Sequence, residues 1–259
     1  MPLIVYSKIN PASLNIFKAI LEKYPELEKS CVASEKDVIE VETDFGTDCI
    51  IVPSTHRSAT NTPALTAHIC GNWGNEAKVG GDPKTLNIAP AARLKSCLVA
   101  MKKECAKAGV QIDVTLEVDH HGPTSKVPIM FVEVGATEKE WHDMKLCAIA
   151  AAGIKAAFDA TSINPAAGNP YIAFFGVGGG HYATAFGKLE LDEKSDLAAA
   201  HLLPKYQIDA VDFEVFRQAV EKSTEPVGLV LIEKDGVNAK QRDKIIGFCD
   251  QLGIRWEKI

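Results

Sequence analysis

Glu117, Asp119, His120 and His121 fall within five consecutive positions of the stretch Thr115-Leu116-Glu117-Val118-Asp119-His120-His121-Gly122-Pro123-Thr124, which reads as a strand running into a Gly-Pro turn. Side chains alternate along a strand, so Val114, Leu116 and Val118 share one face and Thr115, Glu117 and Asp119 the other. In a sheet covered on both sides these carboxylates must be paired, hydrogen-bonded or metal-bound, because an unpaired buried charge is costly. Histidine beside Asp or Glu suits a zinc site that keeps one position open for water. The spacing matches no named zinc signature, and a solvated His pair beside a tight turn is the plain alternative.

A second concentration of chemistry is Gly178-Gly179-Gly180-His181-Tyr182, which follows an apolar strand. Consecutive backbone N–H groups in such a turn can cradle a phosphate or an oxyanion. No Gly-Lys-Ser or Gly-Lys-Thr follows, so it is not a Walker loop. Glu133 sits in an apolar strand, either as an edge carboxylate facing water or, if buried, as a base or ligand. His68 lies near Trp73, which reads as a loop anchor or as an aromatic platform for a nucleic-acid base. His56 with Arg57, and His201 with Lys205, could meet a phosphate, although solvation is the simpler reading for Arg57 and Lys205. Six of the seven histidines lie in irregular segments or at strand ends, where α/β proteins build sites, whereas His142 falls inside a predicted helix and reads as structural. No Gly-x-Ser-x-Gly elbow or protease-like cysteine context is present, which disfavours a serine or cysteine nucleophile.

The elements that must carry these residues alternate. Leu3–Tyr6 reads as a strand, and Asn10-Pro11 opens a helix to about Lys23, with Asn10 as its cap. Val38–Val41 and Cys49–Val52 read as strands. From Pro53 to Asn87 periodicity disappears, which predicts an ordered functional excursion. A helix over Pro90–Ala108 ends at Gly109, and its Arg93, Lys95, Lys102 and Lys103 read as a solvated face or a local basic strip. Strands over Val110–Asp119 and Val127–Val134 follow, then a capping box at Thr137–Glu140 opens a helix to about Ala160. The strand Tyr171–Val177, a helix from Val211 to Lys222, the strand Val227–Ile232, a helix from Asn238 to Leu252 and a terminal strand complete the pattern. With no composition break or repeat, this is one α/β domain over residues 1–259 with a central sheet between helical layers.

Composition narrows the function. A net charge of −6 argues against a surface that coats nucleic acid. The seven cysteines are odd in number and form no Cys-x-x-Cys pair, as expected of reduced thiols in a cytoplasmic protein. The amino terminus lacks a leader pattern, and no apolar run approaches the roughly 18 residues that cross a bilayer, so no membrane role is expected. A monomer is the default expectation.

Pro63-Ala64-Leu65-Thr66-Ala67-His68 with Gly71-Asn72-Trp73-Gly74, then His120-His121-Gly122-Pro123-Thr124, Gly178-Gly179-Gly180-His181-Tyr182 and His201-Leu202-Leu203-Pro204-Lys205-Tyr206 stand in an order and spacing that resembles the archaeal- and plant-type D-aminoacyl-tRNA deacylases. Two departures stand out: Ser54-Thr55-His56 where the family commonly has an Arg before its His, and Thr184 where a Pro is usual. The resemblance implies a three-layer α/β/α fold with a central mixed sheet, similar to the phosphorylase/hydrolase group. It also implies a zinc-dependent hydrolase that cleaves the ester between a D-amino acid and the 3′-terminal ribose of tRNA, a translation quality-control activity. On that reading His120, His121 and His181 are the expected metal ligands, and Glu117 or Glu133 the base or a further ligand. His68 joins the catalytic group, Gly179 and Gly180 face the oxyanion, and Trp73 or Tyr182 stacks the terminal adenine, with His56, Arg57, His201 and Lys205 as further substrate contacts. The alternatives are a metallopeptidase or amidohydrolase on the same fold, and a non-catalytic nucleotide- or RNA-binding module.

Overall fold

The computed structural model describes Met1–Ile259. The first unit runs β1 (Leu3–Ser7), α1 (Pro11–Lys23), β2 (Cys31–Ser34) and β3 (Ile50–Thr55). Asn10 caps α1 as its residue type predicts, its side chain accepting the Ser13 N–H at 3.1 Å with Pro11 at the first helical position. Val38–Val41 is not a strand. Asp37 accepts the Val38 N–H at 2.7 Å and starts a single 3-10 turn, which still buries Val38 and Val41.

The stretch expected to lack regular structure contains a central strand. β4 (Ala64–His68) is buried at every position, followed by the short β5 (Gly71–Asn72) and β6 (Thr85–Leu86). It shows no alternation because neighbours pair on both edges and both faces are covered, so no polar face is needed. Next come α2 (Ala91–Ala108), ended by Gly109 at φ 61, then β7 (Asp113–Leu116) and β8 (Ile129–Gly135). The capping box is present, with Glu140 accepting from the Thr137 N–H and hydroxyl, but the helix it opens stops early as α3 (Glu138–Trp141). Asp143 then accepts from the N–H groups of Lys145 and Leu146 and caps a new helix, α4 (Met144–Asp159). The chain closes with β9 (Ile172–Val177), α5 (Thr184–Glu190), β10 (Leu197–Leu203), α6 (Phe213–Glu221), β11 (Val227–Ile232), α7 (Ala239–Leu252) and β12 (Trp256–Lys258).

The strands form a six-stranded sheet in the order β2-β1-β3-β8-β4-β7, a four-stranded parallel sheet in the order β10-β9-β11-β12, and the small antiparallel pair β5-β6. β4 is antiparallel to β8 while the other pairs of the larger sheet are parallel, so that sheet is mixed as expected. One apolar core of 44 buried residues reaches from Ile4 through α2 and α4 to Leu231, drawing on both sheets. The join between the sheets is the stretch after β7. The Val118 N–H donates to His181 O at 3.1 Å and the Asp119 N–H to Leu202 O at 3.2 Å. The predicted strand Val110–Asp119 is therefore cut to four residues of regular pairing, because its last third leaves β4 for the second sheet.

The basic strip on α2 does not form. Arg93 Nη1 donates to Ala157 O and Phe158 O at the end of α4, and Lys95 is fully buried, donating to Leu189 O at 2.9 Å and Leu197 O at 2.7 Å. Beside it Glu190 is also fully buried; Oε2 accepts the Ala199 N–H at 2.8 Å and Oε1 has no partner. Burial pushes the Glu190 carboxyl up to about 8, against the opposing pull of the Lys95 charge and the Ala199 N–H. A carboxyl raised on folding contributes stability that is complete below its unfolded value and lost as pH rises through the folded one. Wild-type stability should therefore fall between pH 6 and 9 by about 2 kcal/mol more than that of Glu190→Gln, read from urea midpoints. Parallel pH profiles for the two proteins would show that Glu190 ionises without cost.

Candidate active site

Four strand ends and the inter-sheet strap converge on one cluster. His56 follows β3, Glu133 lies on β8, His68 ends β4, and Glu117, His120 and His121 occupy the strap, while His181 and Tyr182 follow β9. Backbone packing sets these positions. A Cβ at Gly135 would lie 2.3 Å from His56 O, and one at Gly122 would lie 2.2 Å from Gly81 N, so both approaches require glycine. His121 itself takes φ 47, an uncommon left-handed conformation for a non-glycine residue, of the kind that clusters at functional sites.

His68, His120 and His121 share one hydrogen-bonding arrangement. Their Nδ1 atoms lie 3.0 Å from Ile69 O, 2.8 Å from Val118 O and 2.5 Å from Gly122 O respectively. A carbonyl oxygen only accepts, so each Nδ1 carries the proton, and in the neutral ring each Nε2 keeps a free lone pair. This is the outer-shell pattern that prepares histidine for a metal. The three rings each bring a ligand atom within 4.8 Å of the others, and the buried His68 Nε2 has no hydrogen-bond partner. Burial, then the neighbouring His68, His121 and His181 charges, hold His120 well below the usual histidine range; burial, then His68, brings His121 to about 4. Both rings are uncharged at neutral pH, with Nε2 free of a proton as ligation requires. The orphaned lone pair of His68, three backbone-anchored tautomers and the depressed basicity of His120 and His121 make the set fit a divalent cation such as zinc.

Carboxylates stand behind these rings. Glu117 is 1% exposed and neither side-chain oxygen has a hydrogen bond, although His181 Nε2 stands 2.9 Å and His56 Nδ1 3.4 Å from Oε1. Glu133 lies 3.5 Å from His56 Nδ1 and 3.7 Å from His68 Nε2. Burial raises its carboxyl, but His56 and His68 outweigh that and hold it well below the carboxylate range. Burial likewise pulls His56 and His68 down, and Glu133 with Glu117 more than compensates, leaving both raised. Two further donor groups, Glu117–His120–His181 and His56–Glu117–Glu133, overlap the first, so the cluster is continuous. The side chain of His181, 44% exposed, forms its outer edge. His56 Nε2 and the Tyr182 hydroxyl are 2.7 Å apart, which ties the β3 end to the glycine turn.

Several expected substrate contacts lie elsewhere. Trp73 is 3% exposed and stacks on Phe175 at 5.7 Å, so it packs the core and offers no platform. His201 is fully buried; Nδ1 lies 2.5 Å from Asp119 Oδ2 and Nε2 2.8 Å from Lys222 O, leaving no nitrogen for a substrate. Arg57 is exposed and lies 5.0 Å from the Trp141 ring centroid, at the rim. Trp141 also donates from Nε1 to His56 O at 3.1 Å, a positioning role that its place in an amphipathic helix did not reveal. In the glycine turn the Gly178 N–H is spent on Leu203 O, and the buried, unpartnered Oε2 of Glu233 would stand 3.2 and 3.3 Å from a Cβ at Gly178 and Gly179. Gly180 meets nothing within 4 Å.

The histidine set leads to a metal test. His68→Ala, His120→Ala and His121→Ala should each weaken zinc binding at least about tenfold, while His142→Ala should match wild type, measured by competition with a chromogenic chelator. Unchanged affinity in all three would remove the metal site.

The sequence profile of a family described as D-aminoacyl-tRNA deacylase matches residues 43–257. A Methanosarcina mazei protein described as D-aminoacyl-tRNA deacylase is 39% identical over 207 residues, covering 80% of this chain and 65% of its own length. The chain thus spans just under two thirds of that relative. A Thermoplasma volcanium protein of the same description is 32% identical over 265 residues, covering 98% of each chain. A solved structure of a conserved protein of unknown function shares the fold, with a TM-score of 0.86 at 23% identity, covering 100% of this chain and 95% of that one. Profile and relatives together show that the chain belongs to the D-aminoacyl-tRNA deacylase family.

Proposed function

We propose that the chain hydrolyses the ester between a D-amino acid and the 3′-terminal ribose of tRNA, with zinc as its metal, acting as a single-domain enzyme of the cytoplasm. The observation that carries the reading is the juxtaposition of three histidines, each with Nδ1 anchored on a carbonyl, and the unpartnered buried carboxylate of Glu117. His68, His120 and His121 hold the metal, which exchanges His68 for His181 relative to the sequence expectation. When bound, zinc lowers the pKa of its water to about 7 and polarises a carbonyl.

The chain's own groups supply the rest. Glu117 accepts the proton of the attacking water, since both its oxygens are free of hydrogen bonds while Glu133 Oε2 accepts the Thr66 hydroxyl at 3.4 Å. His181, 2.9 Å from Glu117 Oε1 and open to the outside, passes that proton to the departing ribose oxygen. Bond formation at the carbonyl carbon and loss of the ribose oxygen then balance, with one water consumed. The Gly180 N–H is the better oxyanion donor, because the Glu233 carboxylate behind Gly178 and Gly179 opposes negative charge there. Arg57 and Lys205, both exposed, serve the tRNA phosphates. The cytoplasmic assignment is supported by cysteines that are all free, and no helix is long and apolar enough to cross a membrane.

Purified protein offered D-tyrosyl-tRNA and L-tyrosyl-tRNA in parallel should deacylate the D form at least tenfold faster, and a chelator should abolish the reaction with zinc restoring it. Equal rates on both stereoisomers would remove the stereochemical reading, and indifference to chelator the metal. Glu117→Gln should lower kcat by 10²-fold or more; a change in KM alone would assign the proton transfer to another group.

A further inference from the structure

Removal of Trp73 from the surface leaves open what receives the last base of the tRNA. Tyr206, at 58% exposure, is the only aromatic side chain among the exposed large hydrophobics. It lies just past the end of β10 and beside Lys205, which is also exposed. The turn that carries them is tightly held. The Gln207 N–H donates to Pro204 O at 3.0 Å, Ala210 and Val211 N–H groups both reach Gln207 O at 3.0 Å, and Ile208 is fully buried in the apolar cluster that also holds Trp73 and Phe175. Lys244 Nζ adds bonds to Ile208 O and Asp209 O. The turn is also tied to the active site, since the Lys205 N–H donates to Gly179 O at 3.1 Å, two residues before His181.

The remaining aromatics near the cluster are committed. Trp141 is 8% exposed and packs against the His56 loop, and the Tyr182 hydroxyl is bonded to His56. Partial burial, then the Glu117 charge, push the Tyr206 hydroxyl up. A rigid, open aromatic face adjoining a free cation is the combination that grips single-stranded nucleic acid ends, the ring stacking a base and the cation meeting a phosphate.

We propose that Tyr206 is the stacking platform for the terminal adenine of the tRNA, with Lys205 beside it on the same turn contacting the adjoining phosphate. This rests on the aminoacyl-tRNA reading, and it assigns Tyr206 a positioning role with no part in bond cleavage. The ring is presented by a turn whose backbone is hydrogen-bonded to the glycine turn, so a base seated on it fixes the ester relative to His181 and Glu117.

The test is Tyr206→Ala against Tyr206→Phe on D-tyrosyl-tRNA and on D-tyrosine methyl ester, with binding of the uncharged trinucleotide CCA measured by calorimetry. Tyr206→Ala should raise KM for the tRNA roughly 5- to 150-fold and weaken CCA binding by a similar factor, with kcat within twofold and methyl-ester hydrolysis unchanged. Tyr206→Phe should behave as wild type. An unaltered KM and CCA affinity in Tyr206→Ala, or an equal loss on the methyl ester, would overturn the proposal. Should the wild type hydrolyse no aminoacyl-tRNA, the functional reading falls, and the CCA measurement still decides the role of Tyr206.

Discussion

The structure depends on Asp119. Its Oδ1 accepts the Leu202 N–H at 2.8 Å, its Oδ2 holds His201 Nδ1 at 2.5 Å, and its own N–H donates to Leu202 O at 3.2 Å. One buried carboxylate thus fastens the strap after β7 to β10, and with it the six-stranded sheet to the four-stranded one. His201 continues the chain of contacts to Lys222 O at the end of α6. A buried charge without these partners would cost several kcal/mol. Fully paired, it holds the strap in place from the second sheet. Glu117 comes two residues before this anchor and His120 one residue after it, so the clamp positions the chemistry on both sides.

That division of labour explains two carboxylates on one predicted strand face with opposite fates. Asp119 is saturated and structural, and Glu117 is buried and unsatisfied. Proteins tolerate an orphaned buried carboxylate where a ligand or a cation completes it. Around Glu117 the histidines are graded: His120 and His121 are depressed, and His56 and His68 are raised by Glu133 and Glu117. Groups of the same type a few ångströms apart are thereby shifted in opposite directions, according to whether carboxylates or other imidazoles surround them.

Legibility in the sequence tracked how local each signal was. Caps and stops were readable because they act within four residues: Asn10 before Pro11, the Thr137–Glu140 box and Gly109 all stand as their types predict. Asp143 was an equally local signal inside a long apolar pattern, and it divided the expected helix. β4 was hidden because burial on both faces erases alternation, and it carries His68. Lys95 looked like a solvated charge because its two carbonyl acceptors lie 94 and 102 residues away.

The sequence by itself determined which residues could do chemistry, the α/β alternation, and, through four ordered motifs, the family. The tertiary structure decided which histidines work together. His68, His120 and His121 converge only because β4 and the strap lie side by side, while His201 is drawn off by Asp119. It also decided that Trp73 is core and that the aromatic left at the surface is Tyr206. The physical reason is the same in each case. Residue type limits what a side chain can donate or accept, but whether a nitrogen is spent on a carbonyl or left for a ligand is settled by backbone atoms brought near by folding.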